Sequence, residues 1–352
     1  MIGDVLVSSL LCRHLKENLR EPEVHFVANR GTEAVLEGNP HIDRIVIFEP
    51  AYRSSKRAFF RFLMHIRRER YDAVIDAYGK LESTLISVFS GAGTRIGYDK
   101  WYSRLCYTRT VDRKQVGDME MSMGLGHRLA LLQPLFPELV NPNAVPEIHL
   151  SREELLQAVA LLESSGIREN QRLIMVGVLG SERSKTYPPD YLALLLRHLA
   201  GWLPEHVFLL NYIPDQKPAI KIFLEHCPPE IRNRIKHEIY SPDLRRFLGL
   251  LARCEAQIGN EGGAVHMAKA LGVPTFSIFS PWITKRAWQT FRGNPAHRAV
   301  HLEDFRPELL EGIGKKERKR DAGRLYAHFK PEAILPELER FAYDIILPTH
   351  KH

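Results

Sequence analysis

Ile258-Gly259-Asn260-Glu261-Gly262-Gly263-Ala264-Val265-His266-Met267-Ala268-Lys269-Ala270-Leu271-Gly272-Val273-Pro274 puts an acid, two glycines and a histidine where a strand passes into a helix. The approach Ala256-Gln257-Ile258 is short and ends in Gly259-Asn260, and Val265, Ala268 and Leu271 then recur at helical spacing. A helix begun in this way offers unpaired N–H groups and the positive end of its dipole, and glycines without a Cβ let an anion reach the backbone. The ligand this suits is a phosphate ester. The same residues also suit a plain strand-to-helix turn in which His266 has no ligand.

Outward from this turn the chain alternates strands and helices. Leu173–Leu179 is a near-continuous apolar run of the kind buried in a parallel sheet, and further strands are expected at 207–210, 237–240, 256–259 and 275–279. The first half repeats the pattern: an amphipathic helix over 4–18, a strand at 24–28, a short helix at 32–38 and a strand at 44–48. A long helix over 53–69, a strand at 73–76 and helices at 80–90 and 120–134 follow. Pro134, Pro137, Pro142 and Pro146 then mark a linker.

At 352 residues the chain exceeds the usual size of one core. The expected fold is therefore α/β, with two Rossmann-like, doubly wound domains over residues 1–150 and 151–330 and a terminal segment over 331–352. A ligand belongs at the carboxyl ends of the strands. One feature departs from this plan: a Rossmann-like domain opens on a central buried strand, yet only Met1 and Ile2 precede the turn Gly3-Asp4 and its helix. The first strand of the N-terminal domain is missing from this reading, and the reading frame is expected to extend upstream.

Composition narrows the chemistry. Hydrophobic residues make up 44% of the chain, but no apolar run approaches the ~18 residues of a membrane span, and no secretory leader is evident, so a cytoplasmic protein is expected. Cys12, Cys106, Cys227 and Cys254 lie far apart without ligand spacing, which excludes a zinc motif and a disulfide framework; no metal site is expected. A net charge of +7 calls for an acidic partner. Nucleic acid is disfavoured because the basic residues lack the interleaved aromatics of a stacking platform. Gly91-Ala92-Gly93 and Gly124-Leu125-Gly126 do not follow expected strands, so no dinucleotide fingerprint is present, and GxSxG, Walker A and HExxH patterns are absent.

Three strand-end loops carry the candidate groups. Asp4 heads the first helix and serves either as its N-cap or, facing a cleft, as a general base. The loop from Gly180 to Pro189 places Ser181, Arg183 and Lys185 directly after a buried strand, as a phosphate clamp or as a solvated basic loop. The third is the turn from Asn260 to His266, with Glu261, Gly262, Gly263 and His266.

Taken in order, five segments resemble glycosyltransferase family 9, the ADP-heptose:lipopolysaccharide heptosyltransferases. They are Ile2-Gly3-Asp4-Val5-Leu6, Asn39-Pro40-His41-Ile42-Asp43-Arg44, Tyr71-Asp72-Ala73-Val74-Ile75-Asp76, the Ser181–Pro188 loop with Lys185, and Glu261–Gly272. The resemblance implies a GT-B fold, an ADP-heptose donor held by the C-terminal domain, a lipid-linked oligosaccharide acceptor on the N-terminal domain, and metal-independent inverting transfer. No cofactor is implied, the ADP-sugar being a substrate. The family's catalytic aspartate falls on Asp4, its phosphate-binding lysine on Lys185, and its Asp-Thr-Gly-x-x-His turn on Glu261, Gly262, Gly263 and His266, with Ser181 and Arg183 assisting.

Glu261 stands where the family has Asp and Gly262 where it has Thr. These departures favour a related transferase for another nucleotide sugar, and the missing strand favours an inactive nucleotide-sugar-binding homologue. The helix carrying Arg53, Lys56, Arg57, Phe59, Phe60, Arg61 and Phe62, followed by Arg67-Arg68, suits an anionic membrane surface, such as the cytoplasmic face of the inner membrane, or is a solvated amphipathic helix. Lys315-Lys316-Glu317-Arg318-Lys319-Arg320 reads as a mobile solvated loop. The resemblance also places the last helix, 331–346, back on the first domain.

Overall fold

The computed structural model describes residues 2–113, 122–138, 145–241, 243–291 and 293–350; Pro142 of the expected linker lies outside them. The chain divides between Pro146 and Glu147 into two compact units.

The second unit is built on a six-stranded parallel sheet of β6 (Arg172–Gly177), β7 (His206–Asn211), β8 (Ile235–Lys236), β9 (Ala256–Asn260), β10 (Thr275–Ile278) and β11 (His297–Val300), in the order β8-β7-β6-β9-β10-β11. Ile174, Val176, Phe208, Leu210, Ile258, Phe276 and Ile278 are all buried, as a sheet covered on both faces requires. The chain lays β7 and β8 on one side of β6 and then returns to place β9 on its other side. The strand order reverses there, and the crevice outside the carboxyl ends of β6 and β9 is the ligand position of a doubly wound sheet. Gly177 and Gly259 pair across this point. Gly259 has φ +131°, and a Cβ on it would come within 2.3 Å of the Gly177 carbonyl oxygen, so no larger residue fits.

Among the described residues the first unit has five strands: β1 (His25–Asn29), β2 (Arg44–Phe48), β3 (Ala73–Ile75), β4 (Thr94–Tyr98) and β5 (Arg109–Val111). They form two separate parallel sheets, β1-β2 and β3-β4-β5. Among the described residues no strand precedes β1 in this unit.

Several elements differ from expectation. Helix α1 (Ile2–Asn18) is not amphipathic throughout: Val5 to Cys12 are all buried, because that run is apolar or small on every side. The helix expected over 53–69 breaks at Ser55, whose hydroxyl caps α2 (Lys56–Arg68) by accepting from the Ala58 N–H at 3.2 Å. Residues 33–35 make only a single 3-10 turn. The strand expected at 237–240 is β8, earlier and two residues long, while β4, β5 and β11 escaped notice because their residues mix polar and apolar types. Helix α3 (Leu81–Ser90) lies where expected, while α4 (Met123–Ala130) is shorter than the expected 120–134, of which residues 120 and 121 lie outside the described residues.

The last helix, expected on the first domain, has its apolar side in the second unit. In α8 (Pro331–Phe341), Ile334, Leu338 and Phe341 recur at i, i+4 and i+7 and enter the core that includes Phe276, whose ring is 5.7 Å from that of Phe341. Arg172 then donates to the Ile346 carbonyl at 2.9 Å, fastening the following turn to β6. Helices α5 (Pro189–Trp202), α6 (Gly263–Ala270) and α7 (Lys315–Arg320) complete the elements used below.

Candidate functional site

The loop after β6 and the turn after β9 are joined by one side chain. Asn260, the last residue of β9, donates from Nδ2 to the carbonyls of Val178 (2.7 Å) and Gly177 (3.1 Å), and its Oδ1 accepts from the Tyr187 N–H at 2.7 Å. Sequence reading placed Asn260 at the start of the candidate turn but gave it no role of its own, although a buried Asn closing a strand before two glycines needs partners and so was a usable signal. Within the loop, Gly180 donates to Thr186 Oγ1 (3.1 Å), and that hydroxyl donates to the Glu182 carbonyl (3.1 Å). A Cβ on Gly180 would lie 2.4 Å from the Lys185 carbonyl oxygen, so the loop closes this tightly only around glycine. Arg183, Ser184 and Lys185 form a short 3-10 turn, with Ser181 just ahead of it.

A third loop, after β10, also reaches this place and was missed. Ser280 Oγ and Trp282 Nε1 both donate to the Ser184 carbonyl, at 2.6 and 3.1 Å. Three neighbouring strands, β6, β9 and β10, thus send their carboxyl-end loops to one point.

On the β9 turn, Glu261 Oε1 and His266 Nε2 share a hydrogen bond of 3.2 Å, and both side chains are about nine-tenths buried. The Glu261 N–H donates to the Ile278 carbonyl at 3.0 Å. The His266 ring stands 5.9 Å from that of Trp288. Gly262 precedes α6 in extended backbone, and a Cβ there would meet nothing within 4 Å, so the position has room for a side chain. Gly263 opens α6, whose first N–H groups point past the turn. On the same helix, burial pushes the Lys269 ammonium down to about 8, partly offset by Glu261. Its Nζ donates to the carbonyl and hydroxyl of Thr290, each at 3.2 Å.

The run Lys315–Arg320, expected as a solvated loop, is helix α7. Arg318 holds it by donating to the carbonyls of Ile313 (2.8 Å) and Leu310 (2.6 Å).

Asp4 belongs to the first unit. It is the third residue of α1, inside the first turn rather than at the cap, and its Oδ1 accepts from Arg128 Nη2 at 2.8 Å. Arg128 lies on α4, which packs on α1 through Val7, Leu10 and Leu125. With the partners 124 positions apart, sequence reading had no means to find the pair. The structure therefore brings Ser181, Arg183, Lys185, Glu261, Gly262, Gly263 and His266 to neighbouring strand ends of one unit and places Asp4 in the other.

Helix α2 turns Phe62, Leu63 and Ile66 inward and leaves Lys56, Arg57, Phe60 and Arg61 exposed. Among the described residues no helix is long and apolar enough to cross a membrane.

The sequence profile of glycosyltransferase family 9 (heptosyltransferase) matches residues 59–288, about two-thirds of the chain. The chain belongs to glycosyltransferase family 9. It is a glycosyltransferase, and the matched span takes in the Lys185 loop and the Glu261–His266 turn but not Asp4. As a family 9 member it is 23% identical over 282 residues to lipopolysaccharide heptosyltransferase 1 of Campylobacter coli, covering 79% of this chain and 81% of the relative. The family 9 glycosyltransferase of Veillonella parvula DSM 2008 superposes with a TM-score of 0.74 at 16% identity, covering 98% of this chain and 95% of that one. Escherichia coli heptosyltransferase WaaC with ADP superposes with a TM-score of 0.68 at 15% identity, covering 97% of each. These likenesses give the two Rossmann-like units the GT-B fold.

Proposed function

We propose that this family 9 enzyme transfers a heptose from ADP-heptose to a lipid-linked oligosaccharide of the lipopolysaccharide core, with inversion at the anomeric carbon and without a metal or other cofactor. The observation that carries the reading is the meeting of the Lys185 loop with the Glu261–His266 turn at the β6/β9 switch point. A nucleoside diphosphate fits that place, with its phosphates against Lys185, Arg183 and the N–H groups at Gly262-Gly263. The C. coli relative, a lipopolysaccharide heptosyltransferase, and the E. coli fold relative, which is with ADP, support the donor and acceptor classes.

In this reaction the acceptor hydroxyl gives its proton to the Asp4 carboxylate as its oxygen bonds to the anomeric carbon. The bond from that carbon to the diphosphate oxygen breaks on the opposite face, and its electron pair leaves with ADP. Lys185 and the α6 dipole stabilise the charge that grows on the departing diphosphate. Arg128 orients the carboxylate by donating to Asp4 Oδ1. The exposed cations of α2 suit an anionic membrane surface, which fits work at the cytoplasmic face of the inner membrane on a lipid-linked acceptor.

A second reading, a related transferase for another nucleotide sugar, draws on Gly262, which lacks the hydroxyl its position could accommodate. Calorimetry with ADP, UDP and GDP separates the two, together with transfer assays using ADP-heptose. Preference for UDP or GDP overturns the ADP assignment.

A further inference from the structure

Trp282 is ringed by three ammonium groups. Lys185 Nζ lies 5.4 Å from its ring centroid, Lys315 Nζ 5.5 Å and Lys319 Nζ 4.9 Å. One of these lysines comes from the loop after β6 and two from helix α7, some 130 residues later. An indole face attracts each cation only weakly at an exposed site and does nothing to relieve their mutual repulsion. Glu182 lies 2.9 Å from Lys319 and 4.0 Å from Lys185. Glu182 meets two of the three ammonium groups at the ring, so the cluster carries a local excess of positive charge.

The cluster is held in place from both sides. Trp282 Nε1 donates to the Ser184 carbonyl, in the same turn as Lys185. The chain that follows α7 returns to the loop, where Tyr187 OH donates to the Phe329 carbonyl at 2.7 Å. The charged groups facing Trp282 therefore border the switch-point crevice described above.

We infer that Lys315 and Lys319, set against Trp282 beside Lys185, complete an anion pocket that takes the diphosphate of the donor, with Glu182 exchanging for it as the counter-charge. The inference rests on the proposed nucleotide-sugar reading and adds α7 to the donor site. Glu182 bridges a loop lysine and a helix lysine, and a diphosphate, with more charge and more acceptor oxygens, replaces it on both. The Trp282 face then gives the pocket a flat apolar wall.

The test is calorimetric titration of the full chain with inorganic pyrophosphate, ADP, UDP and GDP, using Lys185→Ala, Lys315→Ala, Lys319→Ala, the double variant of the last two, Glu182→Gln and Lys316→Ala. Lys316 shares the helix and the charge of its neighbours without facing Trp282, so it controls for general electrostatics, and melting curves confirm that each variant is folded. The expected result is that Lys315→Ala and Lys319→Ala each weaken pyrophosphate and ADP binding by about three- to tenfold, the double variant by more, Lys316→Ala by less than about twofold, and that Glu182→Gln tightens both. Lys315 and Lys319 variants that match Lys316→Ala, while Lys185→Ala still loses affinity, would overturn the inference and leave the donor reading standing. Pyrophosphate binding that depends on Lys315 and Lys319 without preference for ADP would support the pocket and overturn the ADP reading. Binding of none of the four overturns both.

Discussion

The side-chain oxygen of Asn260 accepts a hydrogen bond from the Tyr187 N–H at 2.7 Å, and this single contact ties the end of β9 to the loop that carries Lys185. Because the Asn260 amide also donates to two carbonyls of the β6 end, replacing it with Ala strands buried groups on both strands. Asn260→Ala is expected to cost about 2–4 kcal/mol of stability and to weaken ADP binding as the loops separate. Chemical denaturation and calorimetry check the two effects, and an unchanged midpoint contradicts the role given to Asn260.

Lys185→Ala should weaken ADP binding by about 10- to 100-fold, the worth of one charge-assisted contact to a diphosphate. The side chain is partly exposed and its nearest carboxylate is 4.0 Å away, so the fold should not suffer. ADP affinity equal to that of the parent would remove Lys185 from the site.

Asp4→Asn keeps an oxygen for Arg128 but cannot take a proton. Turnover is expected to fall by about 10²- to 10⁴-fold with ADP affinity intact, a split that a structural role would not produce. Steady-state kinetics and calorimetry on the same preparation decide it.

Gly262→Thr fits the backbone, since the position is extended and open, and it supplies both an N-cap hydroxyl for α6 and a donor toward a phosphate. ADP binding should tighten by about three- to tenfold and the melting temperature should rise. Weaker binding and a lower melting temperature would mean that the turn has no room.

Lys269 supplies a pH test. Its folded pKa, about 8, lies below the ordinary lysine value of 10.5, so the unfolded chain binds the extra proton between those limits and stability rises with pH across that window. Below pH 8 the full cost of burying the charge is present. Lys269→Met should therefore stabilise the protein at pH 7 by about 1–3 kcal/mol, less the two bonds Thr290 loses, and the advantage should shrink as pH rises from 8 toward 10.5. Melting curves of both proteins over that range measure it; a constant difference would trace the effect to packing alone.

Local sequence determined the second unit well. β6, β7, β9 and β10 are legible because a strand buried on both faces must be apolar along its length, and the Glu261–His266 turn is legible because glycines and a strand end mark it chemically. Only the tertiary structure decided which distant residues meet. Arg128 reaches Asp4, Lys315 and Lys319 reach Trp282, and Ser280 reaches the Ser184 carbonyl through packing of separate elements. The apolar side of α8 was readable as a pattern, but its place on the second unit depended on which core offered matching surface near Phe276. Periodicity reports that a side chain must be buried, and it carries no record of the partner, because the partner is set by how the helices and loops close over the sheet.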